Sequence, residues 1–129
     1  MTTSNSRSLL MVAARILLVV TTGFIIYEAT IRLPVTIKVT NGDKILHTLA
    51  FGTLAFLADF SFPGKGFGWQ KIVPLAMYGI LIEFVQSFLP YRSAELMDFL
   101  VDCSGMIGYA LCIPLLKQLP LFCLRWQNS

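Results

Sequence analysis

Four apolar segments, each close to the length of one membrane crossing, occupy most of this chain. A helix of about 20 residues spans the hydrocarbon core of a bilayer, which is roughly 30 Å thick. The sequence therefore predicts an all-α integral membrane protein with four transmembrane helices arranged as two antiparallel hairpins. The segments run from about Ser8 to Ala29, Lys44 to Phe62, Ile72 to Leu89 and Leu96 to Leu116.

The composition agrees with a membrane location. Of the 129 residues, 56% are hydrophobic and 13% are charged, whereas soluble domains usually carry about 25% charged residues. The ten basic residues are scattered singly along the chain, so membrane lipids are expected partners and nucleic acid is not. No small-x-small cleavage site follows the first apolar segment, which favours an uncleaved signal anchor over a signal peptide.

The distribution of Lys and Arg predicts the orientation. Six of these residues lie on the side of the termini and four on the opposite side, so the positive-inside rule predicts that both termini are cytoplasmic. The sequence has no long repeat and no second domain, which predicts one domain over residues 1–129 with a cytoplasmic tail at 117–129. The basic residues on the side of the termini are Arg7, Arg15, Lys65, Lys71, Lys117 and Arg125, and those on the opposite side are Arg32, Lys38, Lys44 and Arg92.

Eight polar or charged residues stand at the segment ends that this topology brings to the outer side of the membrane. Ionisable groups in or against hydrocarbon are costly, and they usually persist because they pair, face a polar cavity or do chemistry. We call this set the polar layer and predict that it is the functional site. Its members are Asp43, Lys44, His47, Glu83, Gln86, Arg92, Asp98 and Asp102.

Helical spacing places these residues on shared faces. Asp43 and His47 are four residues apart, Glu83 and Gln86 are three apart, and Asp98 and Asp102 are four apart; such neighbours lie on one side of a helix. We expect these faces to be buried inside the bundle. Small residues let helices approach closely in lipid, and the last segment supplies Ser104, Gly105 and Gly108.

Structural roles remain open for several of these residues. Asp43 is a candidate helix cap, Lys44 a candidate interfacial anchor, and His47 a candidate buried hydrogen-bonding histidine. Asp98 near a helix start is partly explained by the helix dipole. Glu83 and Gln86 have no such explanation, and a carboxylate in this position is a candidate acid or base.

No linear motif indicates a metal or another cofactor. A metal site made of His47 with Glu83, Asp98 or Asp102 is conceivable. However, the chain has one histidine, no HExxH sequence and no pair of cysteines at zinc-ligand spacing, so we expect no metal and no cofactor. Cys103 and Cys112 lie inside the last apolar segment, where a thiol behaves as a small apolar group. We expect no disulfide.

Around the polar layer, the chain resembles the VanZ-like family of membrane proteins. The family's Asp-Lys-x-x-His motif stands here as DKILH at 43–47, and its Glu-x-x-Gln motif with a later Arg and Asp stands as EFVQSFLPYRSAELMD at 83–98. The core motifs span residues 43–108. Two departures are Asp102, where the family usually has Asn, and Pro90-Tyr91-Arg92, where it usually has Pro-Gly-Arg.

The resemblance implies a role in the bacterial cell envelope more than a particular reaction. The family's named member is associated with low-level resistance to teicoplanin, a lipid-tailed glycopeptide, and most other members have no established activity. The implied location is the bacterial plasma membrane, with the chain crossing it several times. An oligomer is compatible with so small a bundle.

Three hypotheses for the function follow. In the leading one, the polar layer binds or modulates the head group of a lipid-linked or glycopeptide molecule, with Arg92 and Lys44 attracting its anionic part. In the second, the protein is an intramembrane hydrolase or transferase that acts on a lipid-linked substrate, with Glu83 or His47 as general base. In the third, the polar layer only locks the pairing of the helices.

Overall fold

The computed structural model describes residues 3–31, 42–91 and 95–127, without the side chains of Thr3 and Asp43. Four α-helices follow one another along the chain, and the described residues contain no strand. The predicted all-helical architecture is therefore confirmed. The helices are α1 (Thr3–Thr30), α2 (Gly42–Ser61), α3 (Trp69–Ser87) and α4 (Leu96–Leu116), and a short 3₁₀ helix follows at Phe122–Arg125.

The observed helix starts differ from the predicted ones by a few residues. The largest difference is at α1, which begins at Thr3 rather than near Ser8, because its polar first residues contain neither Gly nor Pro. Since α3 begins at Trp69, Pro74 lies in its second turn, where the missing N–H leaves out one hydrogen bond of the helix. A helix that began at Ile72, as predicted, would have had this proline in its first turn.

The helices alternate in direction, as two antiparallel hairpins require. The start of α1 meets the end of α2, where Arg15 Nε donates to the Ser61 carbonyl at 3.0 Å. The end of α1 meets the end of α3, where Gln86 Nε2 donates to the Ala29 carbonyl at 3.1 Å. Because α2 and α4 run in the same direction, residues at both of their starts lie at one end of the bundle.

The helix α2 lies at the centre of the bundle. It supplies much of the apolar core, including Phe51, Leu54 and Ala55, each at most 1% exposed. It packs most closely against α4, because Gly105 brings the two backbones together: a Cβ on Gly105 would lie 2.4 Å from the Thr48 carbonyl oxygen. Of the three small residues singled out in α4, only Gly105 has this role, since a Cβ on Gly108 would meet nothing within 4 Å and Ser104 is exposed.

Two helices are long and apolar enough to cross a membrane by length and composition. They are Ser4–Thr30, within α1, and Leu96–Leu116, which is α4. The other two do not meet this test, and they include the charged residues Lys44 and Asp59 in α2 and Lys71 and Glu83 in α3. A membrane protein is therefore indicated, and four crossings remain a prediction.

The outward surface of the bundle is apolar on all four helices. Among its most exposed side chains are Val19 on α1, Leu49 on α2, Met77 on α3 and Leu111 on α4, each more than 60% exposed. Several charged side chains lie inside, among them Asp59, Lys71 and Asp98. The surface therefore differs from that of a water-soluble bundle, which keeps most of its charged side chains on the outside.

The segment after α4 folds back onto the bundle. The ring of Trp126 meets that of Phe60 with centroids 5.5 Å apart, and Phe122 packs edge-on against the same ring. Arg125, which the sequence placed in a tail, is only 2% exposed. The described part of the tail is therefore part of the folded bundle, and its cytoplasmic location remains a prediction.

Candidate functional site

The fold brings the described members of the polar layer to one end of the bundle. Six of the eight residues have described side chains: Lys44, His47, Glu83, Gln86, Asp98 and Asp102. They come from the starts of α2 and α4 and the end of α3, which lie together because the helices alternate in direction. Arg92 and the side chain of Asp43 lie outside the described residues. The helix α2 begins at Gly42, so Asp43 stands within its first turn.

His47 and Asp102 form the closest contact of the polar layer. His47 Nδ1 lies 2.7 Å from Asp102 Oδ1, with the two side chains 10% and 1% exposed. Gly79 on α3 makes room for this carboxylate, since a Cβ at that position would lie 3.0 Å from Asp102 Oδ2. The contact therefore depends on three helices. It also gives His47 a partner that can orient the ring and fix the nitrogen that carries the proton.

Lys44 is ion-paired. Its Nζ lies 3.2 Å from Glu95 Oε2 and 3.4 Å from Asp98 Oδ1. The side chain of Lys44 is partly exposed, whereas that of Asp98 is buried. Asp98 thus contacts a cation across the helix pair, in addition to its place in the first turn of α4. Glu95, which the sequence did not single out, belongs to the same group of charges.

Glu83 and Gln86 each present a buried oxygen atom to the bundle. Glu83 Oε2 accepts a hydrogen bond from the backbone N–H of Glu95 at 3.2 Å. Within the described part of the chain, Glu83 Oε1 and Gln86 Oε1 are buried without a hydrogen-bond donor. Buried acceptors of this kind are uncommon, and water, an ion or a ligand can satisfy them.

An open cavity of ≈ 280 Å³ lies beside the polar layer, between α1, α2 and α3. Its wall is mostly apolar, with Phe24 and Phe51 among the lining residues, and its polar lining residues are Glu28, His47 and Gln86. Glu28 is a second residue that sequence reasoning missed, although a carboxylate near the end of an apolar segment is itself a signal. The cavity therefore combines an apolar wall with hydrogen-bonding groups from the polar layer.

A second polar cluster, at the opposite end of the bundle, was also missed. Asp59 is fully buried, and we call its contacts the Asp59 network. Asp59 Oδ1 lies 2.7 Å from Lys71 Nζ and 2.8 Å from Arg125 Nη2, and Tyr109 donates to Asp59 Oδ2 at 2.6 Å. Arg125 Nε also donates to the Asp59 carbonyl at 2.7 Å.

The Asp59 network is a structural connection. Both carboxylate oxygens of Asp59 have close partners, and the network ties the segment after α4 to α2 and α3. The sequence signal was a single acidic residue inside the apolar run FLADFSF at 56–62. Its partners are 12, 50 and 66 residues away along the chain, and no periodicity connects positions so distant.

The two ends of the bundle therefore differ in chemistry. Both carboxylate oxygens of Asp59 have partners, whereas the polar layer has buried oxygen atoms that no described residue donates to, and it has an adjacent cavity. His47, Glu83 and Asp102 also place one nitrogen or oxygen atom each within 4.8 Å of one another. Such a group can exchange a proton, accept hydrogen bonds from a ligand, or hold a cation.

The comparisons with known proteins agree with the motifs of the polar layer. The family model described as VanZ/LLP1 matches residues 2–117 of the chain. Neither a curated protein nor a solved structure gives a significant match. The family match covers all four helices and every residue of the polar layer. The resemblance seen in the motifs is thereby confirmed, and the chain belongs to the VanZ/LLP1 family.

Proposed function

We propose that this VanZ/LLP1-family protein crosses the bacterial plasma membrane four times and binds the head group of a lipid-linked or glycopeptide molecule in its polar layer. The observation that carries the proposal is the cavity beside His47 and Gln86. Its apolar wall suits a lipid chain, and the polar layer next to it suits a head group. Family membership supports a role in glycopeptide susceptibility.

The apolar surface of the bundle supports four crossings. In hydrocarbon, exposed apolar side chains are favourable, and ionised groups are tolerated where they pair or face a cavity. Three charged residues of α2 and α3 follow this rule, because Lys71 pairs with Asp59 and Lys44 pairs with Glu95 and Asp98. With both termini cytoplasmic, the polar layer would face the outer half of the membrane.

The pairing of Lys44 changes how the head group would be held. The sequence suggested that Lys44 attracts an anionic group, but its Nζ already contacts two carboxylates. The described residues of this end are rich in acceptors, including Glu83, Gln86 and Asp102. We therefore expect them to accept hydrogen bonds from hydroxyl, amide or ammonium groups of the head group.

Glycopeptide susceptibility in a Gram-positive host tests the proposal. Expression of the native chain should raise the inhibitory concentration of teicoplanin, and Glu83→Ala should abolish the increase because it removes a buried acceptor of the polar layer. Gln118→Ala changes an exposed residue beyond the far end of α4 and should behave as the native chain. All three proteins are compared at equal membrane abundance.

Two results would contradict the proposal. One is a native chain that leaves susceptibility equal to that of the empty vector and does not retain a photoreactive lipid-linked or glycopeptide probe in membranes. The other is a Glu83→Ala variant that protects the host as well as the native chain. In either case the polar layer would not be a head-group site.

An intramembrane hydrolase or transferase is the second candidate. It is favoured by the 2.7 Å contact between His47 and Asp102 with Glu83 nearby, since a carboxylate that orients a histidine is a common arrangement for general-base catalysis. Incubation of the purified protein with a lipid-linked substrate distinguishes the two candidates. An enzyme converts the substrate in a reaction that Glu83→Gln slows, and a binding protein returns it unchanged.

A further inference from the structure

We propose that His47, Glu83 and Asp102 form a binding site for one divalent transition-metal ion such as zinc. The site lies at the polar-layer end of the bundle, where α2, α3 and α4 each contribute one ligand. The proposal does not depend on the proposed head-group function, because binding of the metal alone can be measured without a lipid or a glycopeptide.

The geometry of the three side chains is close to that of a metal site. One ligand atom from each residue lies within 4.8 Å of the other two. Ligands at about 2.0–2.2 Å from zinc are separated from one another by roughly 3.3–3.6 Å in a tetrahedral site. If the side chains rotated so that their ligand atoms moved by about an ångström, all three could bind one ion. The backbone can stay in place.

The chemistry of the three residues also fits such an ion. An imidazole with two carboxylates is a recurring donor set for zinc and for other first-row divalent metals. With His47 neutral, the two carboxylates carry two negative charges, which one divalent cation balances. Binding would exchange the contact between His47 and Asp102 for bonds from both residues to the ion, and one position would remain for water or a ligand oxygen.

An independent observation points to a missing partner at the same place. Gln86 is 2% exposed, and its Oε1, like Glu83 Oε1, is buried without a donor among the described residues. The two residues are three apart on α3, on one face of the helix, and Gln86 lines a cavity together with His47. A bound cation, or water molecules on that cation, would supply what these oxygen atoms lack.

This proposal differs from the sequence-based expectation of no metal. That expectation rested on the absence of a linear motif, such as HExxH, in which neighbouring residues of one helix supply the ligands. Here the ligands are 36 and 19 residues apart along the chain. They meet only because α2, α3 and α4 place their ends together.

Metal titration of the purified, metal-stripped protein in detergent tests the site. The native protein should bind one zinc ion per chain in competition with a chromophoric chelator. Cobalt bound in place of zinc should give the visible absorption bands that are typical of a cobalt ion with a low coordination number. Glu83→Gln keeps the side-chain volume and should weaken zinc binding by at least about tenfold, as loss of even a supporting residue commonly does. Asp102→Asn and His47→Gln should do the same.

Glu95→Gln is the matched control. It removes a carboxylate from the same end of the bundle but keeps the backbone N–H that binds Glu83, so zinc affinity should be unchanged. Glu83 is only partly buried, and a far-ultraviolet spectrum checks that its variant is folded. Absence of saturable binding by the native protein overturns the proposal, and so does equal weakening by Glu95→Gln and Glu83→Gln.

Discussion

Asp59 and Asp102 are both buried aspartates, but their surroundings give them different properties. Asp59 contacts two cations and a tyrosine hydroxyl, so its charge is compensated within the chain. Asp102 shares its closest contact with His47, a residue that changes charge readily. The contacts of Asp59 therefore hold the helices in place, whereas the contact of Asp102 with His47 can change when a ligand binds.

The first prediction concerns the Asp59 network. Asp59→Asn keeps the shape of the side chain but leaves Lys71 and Arg125 buried without a negative partner. Breaking a buried ion pair in this way costs about 3–5 kcal/mol, so the free energy of unfolding should fall by that amount. Reversible unfolding in mixed micelles of mild detergent and dodecyl sulfate measures it.

Glu95→Gln provides the comparison for Asp59→Asn, because it also removes a carboxylate paired with a lysine. The pair of Lys44 and Glu95 is exposed to solvent on both sides, so its loss should change the unfolding free energy little. Equal destabilisation by the two substitutions would mean that the Asp59 network does not hold the bundle end together.

At the scale of the element, the contact between α2 and α4 decides whether the polar layer exists. The face of Asp98 and Asp102 was predicted to be buried, and both residues are buried, as are Gly105 and Tyr109 farther along the same helix. Gly105 allows the two backbones to approach, and this approach sets the 2.7 Å contact between His47 and Asp102 one turn away. Packing of the two helices and geometry of the site are therefore coupled.

The second prediction follows from this coupling. Gly105→Ala would place a Cβ 2.4 Å from the Thr48 carbonyl oxygen and 2.9 Å from the Gly52 nitrogen. Both are backbone atoms, so α2 and α4 must separate, and overpacking of this kind costs about 1–3 kcal/mol. We expect lower stability in mixed-micelle unfolding together with loss of the teicoplanin effect.

Gly108→Ala is the matched control on the same helix. A Cβ there would meet nothing within 4 Å, and alanine favours a helix by up to about 1 kcal/mol relative to glycine. The variant should be as stable as the native protein or more so. If both alanine variants behave alike, the close approach of α2 and α4 is not a feature of the folded protein.

For the whole molecule, the number of membrane crossings depends on α2 and α3. The helices α1 and α4 meet the length and apolarity requirements alone, whereas α2 and α3 do not. If only α1 and α4 crossed, the link at 62–68 would lie on the same side as the link at 88–95. Four crossings place the two links on opposite sides.

The third prediction uses this difference. After the three free cysteines are replaced by alanine, Gly66→Cys and Pro90→Cys each introduce one thiol at an exposed position. In intact cells, a membrane-impermeant thiol reagent should label the variant at position 90 and not the one at 66. Labelling of both variants from outside would mean that the chain crosses the membrane only twice. Labelling at position 66 alone would mean that the orientation is opposite to the predicted one.

The sequence by itself determined the helical segments, the buried faces and the family, because these depend on local periodicity and on short motifs. It also named the polar layer, since charged residues at the ends of apolar runs stand out in any chain of this kind. It could not supply the pairing of Lys44 with Glu95, the Asp59 network or the 2.7 Å contact between His47 and Asp102. Those contacts join distant residues, so only the packing of α2 against α3 and α4 decided them.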